Sequence, residues 1–517
     1  MTDAVLTLII LGLAVVLFAV DRLPVAGVAL IVPLALWGTG VLDLGEAVGG
    51  FGDPVVLFIA SLFVVSEALD ASGVTAWVGN FVIEHGGQGR ARLLVVIMVT
   101  VAVLTALISP NGAVAAMTPV VVVIALRSGR SPSEMLLPTA FAAHAGSLLL
   151  LTGSPVTVLA SDAIADQGGR QLGLLDIALI GGPLLVFTIA VVLFVPRLIP
   201  HRTAPGVLRD LGEHGALLGR HYGVGTEDLL SKAEGAAEFI VPPRSPLVGD
   251  PVYRGMHNEA GDLVVVAIHH KGTDVQERHS LVAGDTLLLR GPWEALEAMA
   301  ARGELIAVDA PEAVRRQAVP LGRGARRTLA VLAGMVILLA TGLVPPPVVG
   351  IVAALLLVVL GVLSVEQAYH GISWTTVILV GGMLSLSAAM QSSGAAGMLA
   401  EALVTLVGDA GPYALLAGMF VITAVLGQLI SNTATALVMI PIGISAAEQL
   451  GVSYVPLVVA IAVFAAGALL TPIATPANLM VMEAGGYRFG DYWKLGLPLL
   501  LGYGAAGIFL VPLIWPL

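Results

Sequence analysis

The sequence predicts a polytopic α-helical membrane protein: two inverted repeats of five spans plus a re-entrant helical hairpin each, with a small α/β cytoplasmic domain inserted between them. Three observations predict it. The chain of 517 residues is 57% hydrophobic and only 11% charged, with a mean hydropathy of +0.96. Soluble domains carry about 25% charged residues. The apolar runs stop between residues 201 and 324, and the two apolar halves repeat one another at a nearly fixed offset.

Composition also excludes functions. A net charge of -11 argues against nucleic acid or another polyanion as a partner. With 0 cysteines, disulfides, thiolate catalysis and cysteine–zinc sites are absent. The 61 glycines and 30 prolines are scattered through apolar stretches, as transmembrane helices tolerate. Asp3 near the start, with no basic stretch before the first apolar run, predicts that this run stays as a span rather than being cleaved.

Charge placement orients the elements. Of the 24 basic residues, 16 fall between Arg197 and Arg327. The positive-inside tendency puts that insert in the cytoplasm, with the spans in the inner membrane. Counting back, the segment 174–197 runs inward and 133–165 outward. The loops carrying Arg90, Arg92, Arg127 and Arg130 are then cytoplasmic, as is Arg22. The loop 40–53, acidic at Asp43, Glu46 and Asp53 with no basic residue, falls outside. Arg170 alone disagrees.

The first membrane repeat covers 1–200 and the second 325–517. Gly40–Phe51 matches Gly361–Ile372, and Ser66–Gly73 matches Ser387–Gly394, both at offset 321. The run from Ala106 matches that from Gln428 at offset 322. An odd number of spans per repeat inverts the second relative to the first. Inverted repeats are a signature of secondary transporters, with the binding site between the repeats near the midplane.

Within repeat 1, residues 91–126 are apolar around Ser109-Pro110-Asn111-Gly112, with arginines at both ends. A re-entrant hairpin with its tip at 109–112 satisfies both facts, because a break at membrane depth must be buried in protein or line a cavity. Residues 412–448 repeat the design around Ser431-Asn432-Thr433. The second interruption in each half is Gly153-Ser154-Pro155-Val156-Thr157, within 133–165, and Ala474-Thr475-Pro476-Ala477-Asn478, within 454–483. Proline removes a donor and disfavours helix in the residue before it, so these helices split. Unwound carbonyls suit a hard cation, and free N–H groups at the next half-helix suit an anion. The competing reading is a set of packing kinks without ligands.

At these residues the chain resembles the divalent anion:sodium symporter family, which includes sodium–dicarboxylate and sodium–sulfate transporters. The resemblance covers nearly all of both membrane halves. Its most specific pieces are Ser431-Asn432-Thr433 and the run Thr471–Val481. It implies that Ser431, Asn432 and Thr433 contact the anion while lining a Na⁺ site, with Thr475 and Asn478 completing the second cation site. In the first half, Ser109, Asn111, Ser154 and Thr157 would supply the matching oxygens, with Gly112 beside them as a substrate-binding candidate. That half departs from the family pattern, reading Ser-Pro-Asn-Gly for Ser-Asn-Thr and Thr157 for Asn478. The resemblance further implies a homodimer working as an elevator.

The insert, 201–324, holds a segment 225–308 that alternates like a small α/β domain. GDLVVVAIHHKG and GDTLLLRG read as strands ending in glycine turns, and PWEALEAMAARG as a helix. From Glu238 onward it resembles the TrkA-C (RCK C-terminal) regulatory domain, which implies a small regulatory ligand or dimerisation. No glycine-rich dinucleotide fingerprint occurs. His269 and His270 face opposite sides of a strand, which argues against a metal site shared between them.

His144 lies inside a span, where ionisable groups are functional candidates. It is either a proton or substrate group, or a neutral histidine bonded to a neighbouring helix. The expected function is therefore secondary active transport, not enzyme catalysis. The expected cargo is a small divalent anion imported with Na⁺ as coupling ion, sulfate ahead of a dicarboxylate because the regulatory insert and Gly485–Leu499 resemble the sulfate-type branch. The alternatives are a proton-coupled carrier or exchanger, and an RCK-regulated channel or potassium-uptake subunit. No filter sequence of the TVGYG kind is present to support a channel.

Overall fold

The computed structural model describes residues 2–20, 23–75, 77–78, 89–128, 130–200, 202, 234–258, 260–271, 273–309, 324–341, 343–407, 411–472 and 474–517, and every structural statement below concerns these. Arg22 and residues 225–233 of the expected insert domain lie outside them. The chain forms two compact units. One comprises Met1–Leu69, Phe81–Leu208 and Arg326–Leu517, and the other Asp70–Asn80 and Arg209–Ala325.

The first unit is helical. Its first half contains α1 (Asp3–Val20), α2 (Val25–Gly38), α3 (Leu44–Gly49), α4 (Pro54–Ala71), α5 (Arg90–Leu107), α6 (Pro110–Arg127), α7 (Ser133–Gly146), α8 (Pro155–Asp166) and α9 (Ala178–Phe194). The second unit carries strands β1 (Glu234–Ile240), β2 (Pro251–Val252), β3 (Val264–His270), β4 (Thr273–Asp274), β5 (His279–Ser280), β6 (Thr286–Pro292) and β7 (Ile306–Ala307), with helix α10 (Trp293–Arg302) after β6. The second half of the helical unit follows. It comprises α11 (Ala325–Thr341), α12 (Pro346–Val359), α13 (Val365–Gly371), α14 (Trp374–Ser392), α15 (Ala395–Val407), α16 (Pro412–Leu429), α17 (Asn432–Leu450), α18 (Tyr454–Ala466), α19 (Pro476–Gly485), α20 (Tyr492–Ala505) and α21 (Val511–Ile514).

Six of the described helices are long and apolar enough to cross a membrane. Several others are apolar but shorter, including α6, α9 and α18. The shortfall has a physical origin in the broken helices. The 14 residues of α7 rise about 21 Å, so α7 and α8 cross only in sequence.

The repeat survives in detail. Asp43 caps α3 through a reciprocal capping box with Glu46, and Ser364 caps α13 through the same box with Gln367. These caps stand at the same offset, 321, as the sequence match. Prolines 119 and 441 occupy matching places inside α6 and α17.

The two halves run antiparallel. Tyr487, just past the end of α19, donates its hydroxyl to the Ser133 carbonyl and accepts from the Leu137 N–H at 2.9 Å, both at the start of α7. Reciprocally, the Tyr454 hydroxyl at the start of α18 donates to the Gln167 carbonyl at the end of α8. Packing follows the same exchange: α6 lies on α19 as α17 lies on α8, and α7 lies on α19 as α18 lies on α8. Helix α7 is buried at every residue but Glu134, and α18 nearly throughout, which makes the broken helices the centre of the unit.

One end of this centre is tied by charge. Arg202 forks onto Asp491, with Nε to Oδ2 at 2.9 Å and Nη2 to Oδ1 at 2.8 Å. The Arg202 N–H donates to Ser133 Oγ at 2.8 Å, so the segment after α9, the start of α7 and the turn before α20 meet there.

In the second unit the sheet order is β4-β3-β6-β1-β7, antiparallel throughout, beside a separate β2-β5 pair. β3, β6 and α10 form where the alternation and glycine turns of the sequence place them. Its core gathers Phe239, Ile268, Leu287, Trp293 and Leu296, all almost fully buried. Asp285, in the turn before β6, is 1% exposed. Burial works against its charge, yet the Val282 N–H, His270 and His279 together hold the carboxyl below the usual carboxylate range.

Candidate functional site

Four half-helices begin at the predicted interruptions, and each begins with a hydroxyl cap. Ser109 Oγ accepts from Gly112 N–H at 3.2 Å, opening α6. Ser431 Oγ accepts from Ala434 N–H at 3.3 Å, opening α17. Ser154 Oγ accepts from Val156 N–H at 3.2 Å, opening α8. Thr475 Oγ1 accepts from Asn478 N–H at 3.3 Å, opening α19. Proline follows the cap in three of the four, where its missing N–H costs nothing and its fixed φ suits a first turn. Each start presents the positive end of a helix dipole.

The interruptions differ in extent from the sequence expectation. The first hairpin turns at Ile108 and Ser109, so Pro110, Asn111 and Gly112 already belong to α6 rather than to the tip. The second turns at Ile430 and Ser431, with Asn432 and Thr433 inside α17. The broken helices unwind earlier than the proline motifs. α7 ends at Gly146 and α8 starts at Pro155, so Thr157 is helical; α18 ends at Ala466 and α19 starts at Pro476, so Asn478 is too. The long gaps arise because the chain must leave one helix axis before proline can start the next.

Three contacts join the two halves at the breaks. Asn111 Oδ1, from the first hairpin, accepts from the Ala477 N–H of α19 at 3.2 Å. His144 Nε2, from α7, lies 3.1 Å from Asn478 Oδ1 and 3.3 Å from Thr475 Oγ1. The Asn478 amide nitrogen donates to the carbonyls of Ala468 at 2.9 Å and Thr471 at 3.1 Å. That fixes Oδ1 toward the histidine, and an amide oxygen only accepts, so His144 Nε2 carries the proton. His144, Thr475 and Asn478 are all buried.

Of the residues singled out in the sequence, the structure thus joins Asn111 with α19, and His144 with Thr475 and Asn478. Ser109, Ser154 and Ser431 are half-buried caps. Thr157 donates its hydroxyl to the carbonyls of Leu151 and Ser154, both at 2.7 Å, closing the first break on itself. Gly112 has no room for a side chain: a Cβ there would come within 2.8 Å of Ile108 and 3.3 Å of Ser66 Oγ. Asn432 Oδ1 is buried without a hydrogen-bond partner. Thr433 is buried at the start of α17.

Gln428 and Tyr492 carry the site without having stood out in the sequence, and Thr471, which opens the Thr471–Val481 run, joins them. Gln428 Oε1 accepts from the Leu470 N–H at 2.9 Å, pinning the second break to the second hairpin. Tyr492 donates its hydroxyl to the Asn478 carbonyl at 2.6 Å. Thr471 Oγ1, beside the carbonyl that Asn478 holds, is buried and unpartnered. Glutamine and tyrosine in apolar helices are the signal that could have flagged the first two.

Chemically, the named residues bring hydroxyls, amide oxygens, unwound carbonyls and four dipole ends, with no carboxylate or ammonium among them. Such a set suits reversible capture of a small anion beside a hard cation.

Comparison with known proteins agrees with a carrier. The citrate transporter family profile matches residues 15–463 and 409–516. An uncharacterized transporter, YfbS, of Escherichia coli K12 is 28% identical, over 99% of this chain and 99% of its own. Sodium/sulfate cotransporter 1 of Chlamydomonas reinhardtii is 26% identical over 50% of this chain and 30% of its own. The solved YdaH transporter of Alcanivorax borkumensis aligns with 91% of this chain and 88% of its own at a TM-score of 0.47 and 16% identity. The family and these relatives are transporters, not enzymes. A match over nearly the whole chain makes it a multi-pass membrane protein and a secondary transporter, and the chain belongs to the citrate transporter family.

Proposed function

We propose that this protein imports a small divalent anion, sulfate ahead of a dicarboxylate, coupled to Na⁺ as coupling ion. The observation that carries the reading is the set of four hydroxyl-capped half-helix starts, two from each antiparallel half, cross-linked by Asn111 and Asn478. Anion oxygens would take the N–H groups and hydroxyls at Ser109, Asn111, Gly112, Ser431, Asn432, Thr433 and Thr475. Sodium would take oxygens, and the buried, unpartnered Asn432 Oδ1 is the donor best placed to want one. Ser109, Asn111, Ser154, Thr157, Ser431, Thr475 and Asn478 complete the oxygen sets in the two halves. The names of the sodium/sulfate relatives support the same ion pair.

The hairpins and broken helices would move as the transport body of a homodimer in the inner membrane. The insert would lie in the cytoplasm, where dimerisation or a small regulatory ligand acts on its TrkA-C-like domain. The test is uptake of labelled sulfate into proteoliposomes with and without an inward Na⁺ gradient, with succinate and citrate as competitors. Sodium-dependent sulfate uptake is expected. Succinate competition without sulfate transport would transfer the site to a carboxylate.

His144 favours a second reading. Its imidazole touches Asn478 and Thr475, so a proton delivered there would reach the cargo region. Uptake driven by a pH gradient without Na⁺, and lost in His144→Ala, would establish proton coupling in place of sodium.

A further inference from the structure

His270, His279 and Asp285 come from three places in the second unit: the end of β3, the short strand β5 and the turn before β6. His270 Nδ1 lies 2.6 Å from Asp285 Oδ1, and His279 Nε2 lies 2.8 Å from Asp285 Oδ2. One ligand atom from each residue falls within 4.8 Å of the other two. Asp285 is buried, while the two imidazoles are 33% and 20% exposed, which leaves one side of the cluster open.

We propose that this cluster is a Zn²⁺ site with two imidazole ligands, one carboxylate and an open fourth position. The chemistry fits the metal. Imidazole nitrogen and carboxylate oxygen suit Zn²⁺, which binds them at about 2.0–2.2 Å in a tetrahedral arrangement. Ligand atoms around such an ion stand about 3.3 Å apart, so the present hydrogen bonds, one to each carboxylate oxygen, need open by about 0.5–0.7 Å. An ionised carboxylate only accepts, so both imidazoles now hold a proton on the nitrogen facing Asp285. On binding, the nitrogen of each ring that now faces Asp285 gives up its proton and takes the metal in its place. Asp285 Oδ2 already accepts from the Val282 N–H at 2.8 Å, a second contact that orients the carboxylate.

The site has a mechanical consequence. β5 belongs to the two-stranded sheet, and β3 and β6 to the five-stranded one. A metal held by all three residues would bolt the small sheet to the large one more firmly than the hydrogen bonds do. The pair His269 and His270 misses this arrangement, because the second histidine arrives from β5 rather than from the adjacent position.

The test uses the full chain in detergent, with any histidine tag removed and metal stripped by chelator. Calorimetric titration with Zn²⁺ is expected to show one saturable site per chain. In the double variant His270→Ala, His279→Ala, and in Asp285→Asn, binding is expected to weaken about tenfold or more. Substitution with Co²⁺ supplies a readout that needs no variant to fold: the wild-type chain should give the intense visible bands of tetrahedral cobalt. Absence of saturable binding, binding unchanged in the double variant, or only the weak bands of octahedral cobalt would each overturn the proposal.

Discussion

The two broken helices share a backbone plan but spend their polar side chains differently. In the first half Thr157 turns its hydroxyl back on the Leu151 and Ser154 carbonyls, both in its own half. In the second half Asn478 holds the carbonyls of Ala468 and Thr471, earlier in the unwound stretch, with its amide nitrogen, and extends its oxygen to His144. The hairpins differ in the same sense. Asn111 spends its oxygen on the Ala477 N–H, whereas Asn432 keeps a buried oxygen unpartnered. One half closes on itself or braces its partner; the other keeps donors in reserve. Symmetry sets where the breaks lie, and the side chains decide which break remains available to a ligand.

The largest effect should come from making the halves alike. Asn478→Thr gives the second break the residue of the first. One hydroxyl cannot replace both amide bonds to the Ala468 and Thr471 carbonyls, and His144 is left with Thr475 Oγ1 at 3.3 Å as its partner. An unsatisfied buried group costs about 1–3 kcal/mol, so transport should fall about 10- to 100-fold, measured as initial uptake per folded protein. The reverse change, Thr157→Asn, should cost less, since it removes no bridge between the halves. Equal losses would mean that the asymmetry is incidental.

Asn432→Ala should weaken one ion more than the fold. The structure shows no hydrogen bond for its oxygen to lose, so the melting temperature should hold. The sodium concentration for half-maximal uptake should rise about tenfold, the equivalent of about 1.4 kcal/mol. A large fall in melting temperature would instead make Asn432 a structural residue and leave the second half without its free donor.

Two glycines sharpen what the halves hold in common. A Cβ on Gly181 would come 2.1 Å from the Leu148 carbonyl oxygen, and one on Gly496 would come 2.1 Å from that of Leu469. Leu148 and Leu469 are repeat equivalents in the two unwound stretches, so each break rests against the bare backbone of a neighbouring helix. Gly181→Ala and Gly496→Ala should each destabilise by about 1–3 kcal/mol through overpacking, seen in thermal unfolding. Gly182→Ala, with nothing within 4 Å, is the control and should be neutral or better.

The sequence made the repeat, both hairpins, both proline breaks and two strands of the insert, β3 and β6, legible, because each rests on a readable pattern. Capping boxes, X-Pro steps and alternation act within a few residues. What it left out acts across the chain. His144 and Asn478 are partners at a separation of 334 residues, and Tyr487 finds Ser133 across 354. The extent of the first unwound stretch was also hidden, since no residue from Ser147 to Leu150 is a helix breaker by itself. The histidine–aspartate cluster escaped notice for another reason: β5 is a two-residue strand without a readable pattern, in a different sheet from the strand that carries His270.

The smallest predicted effect separates capping from cargo. Ser109 and Ser431 each satisfy one N–H in the first turn of a hairpin's second arm, so Ser109→Ala and Ser431→Ala should each cost about 1 kcal/mol of stability. On that count the halves are equivalent. They differ one residue on, where Pro110 lacks an N–H and Asn432 keeps one, so the second hairpin offers a ligand one more donor beside its serine. If both serines only cap, the two variants should lower uptake equally, in step with their equal loss of stability. If the second half carries the ligand, Ser431→Ala should also raise the half-saturating anion concentration while Ser109→Ala leaves it in place. Matched unfolding curves with unmatched uptake curves would therefore locate the asymmetry in binding, and matched curves of both kinds would return it to the fold.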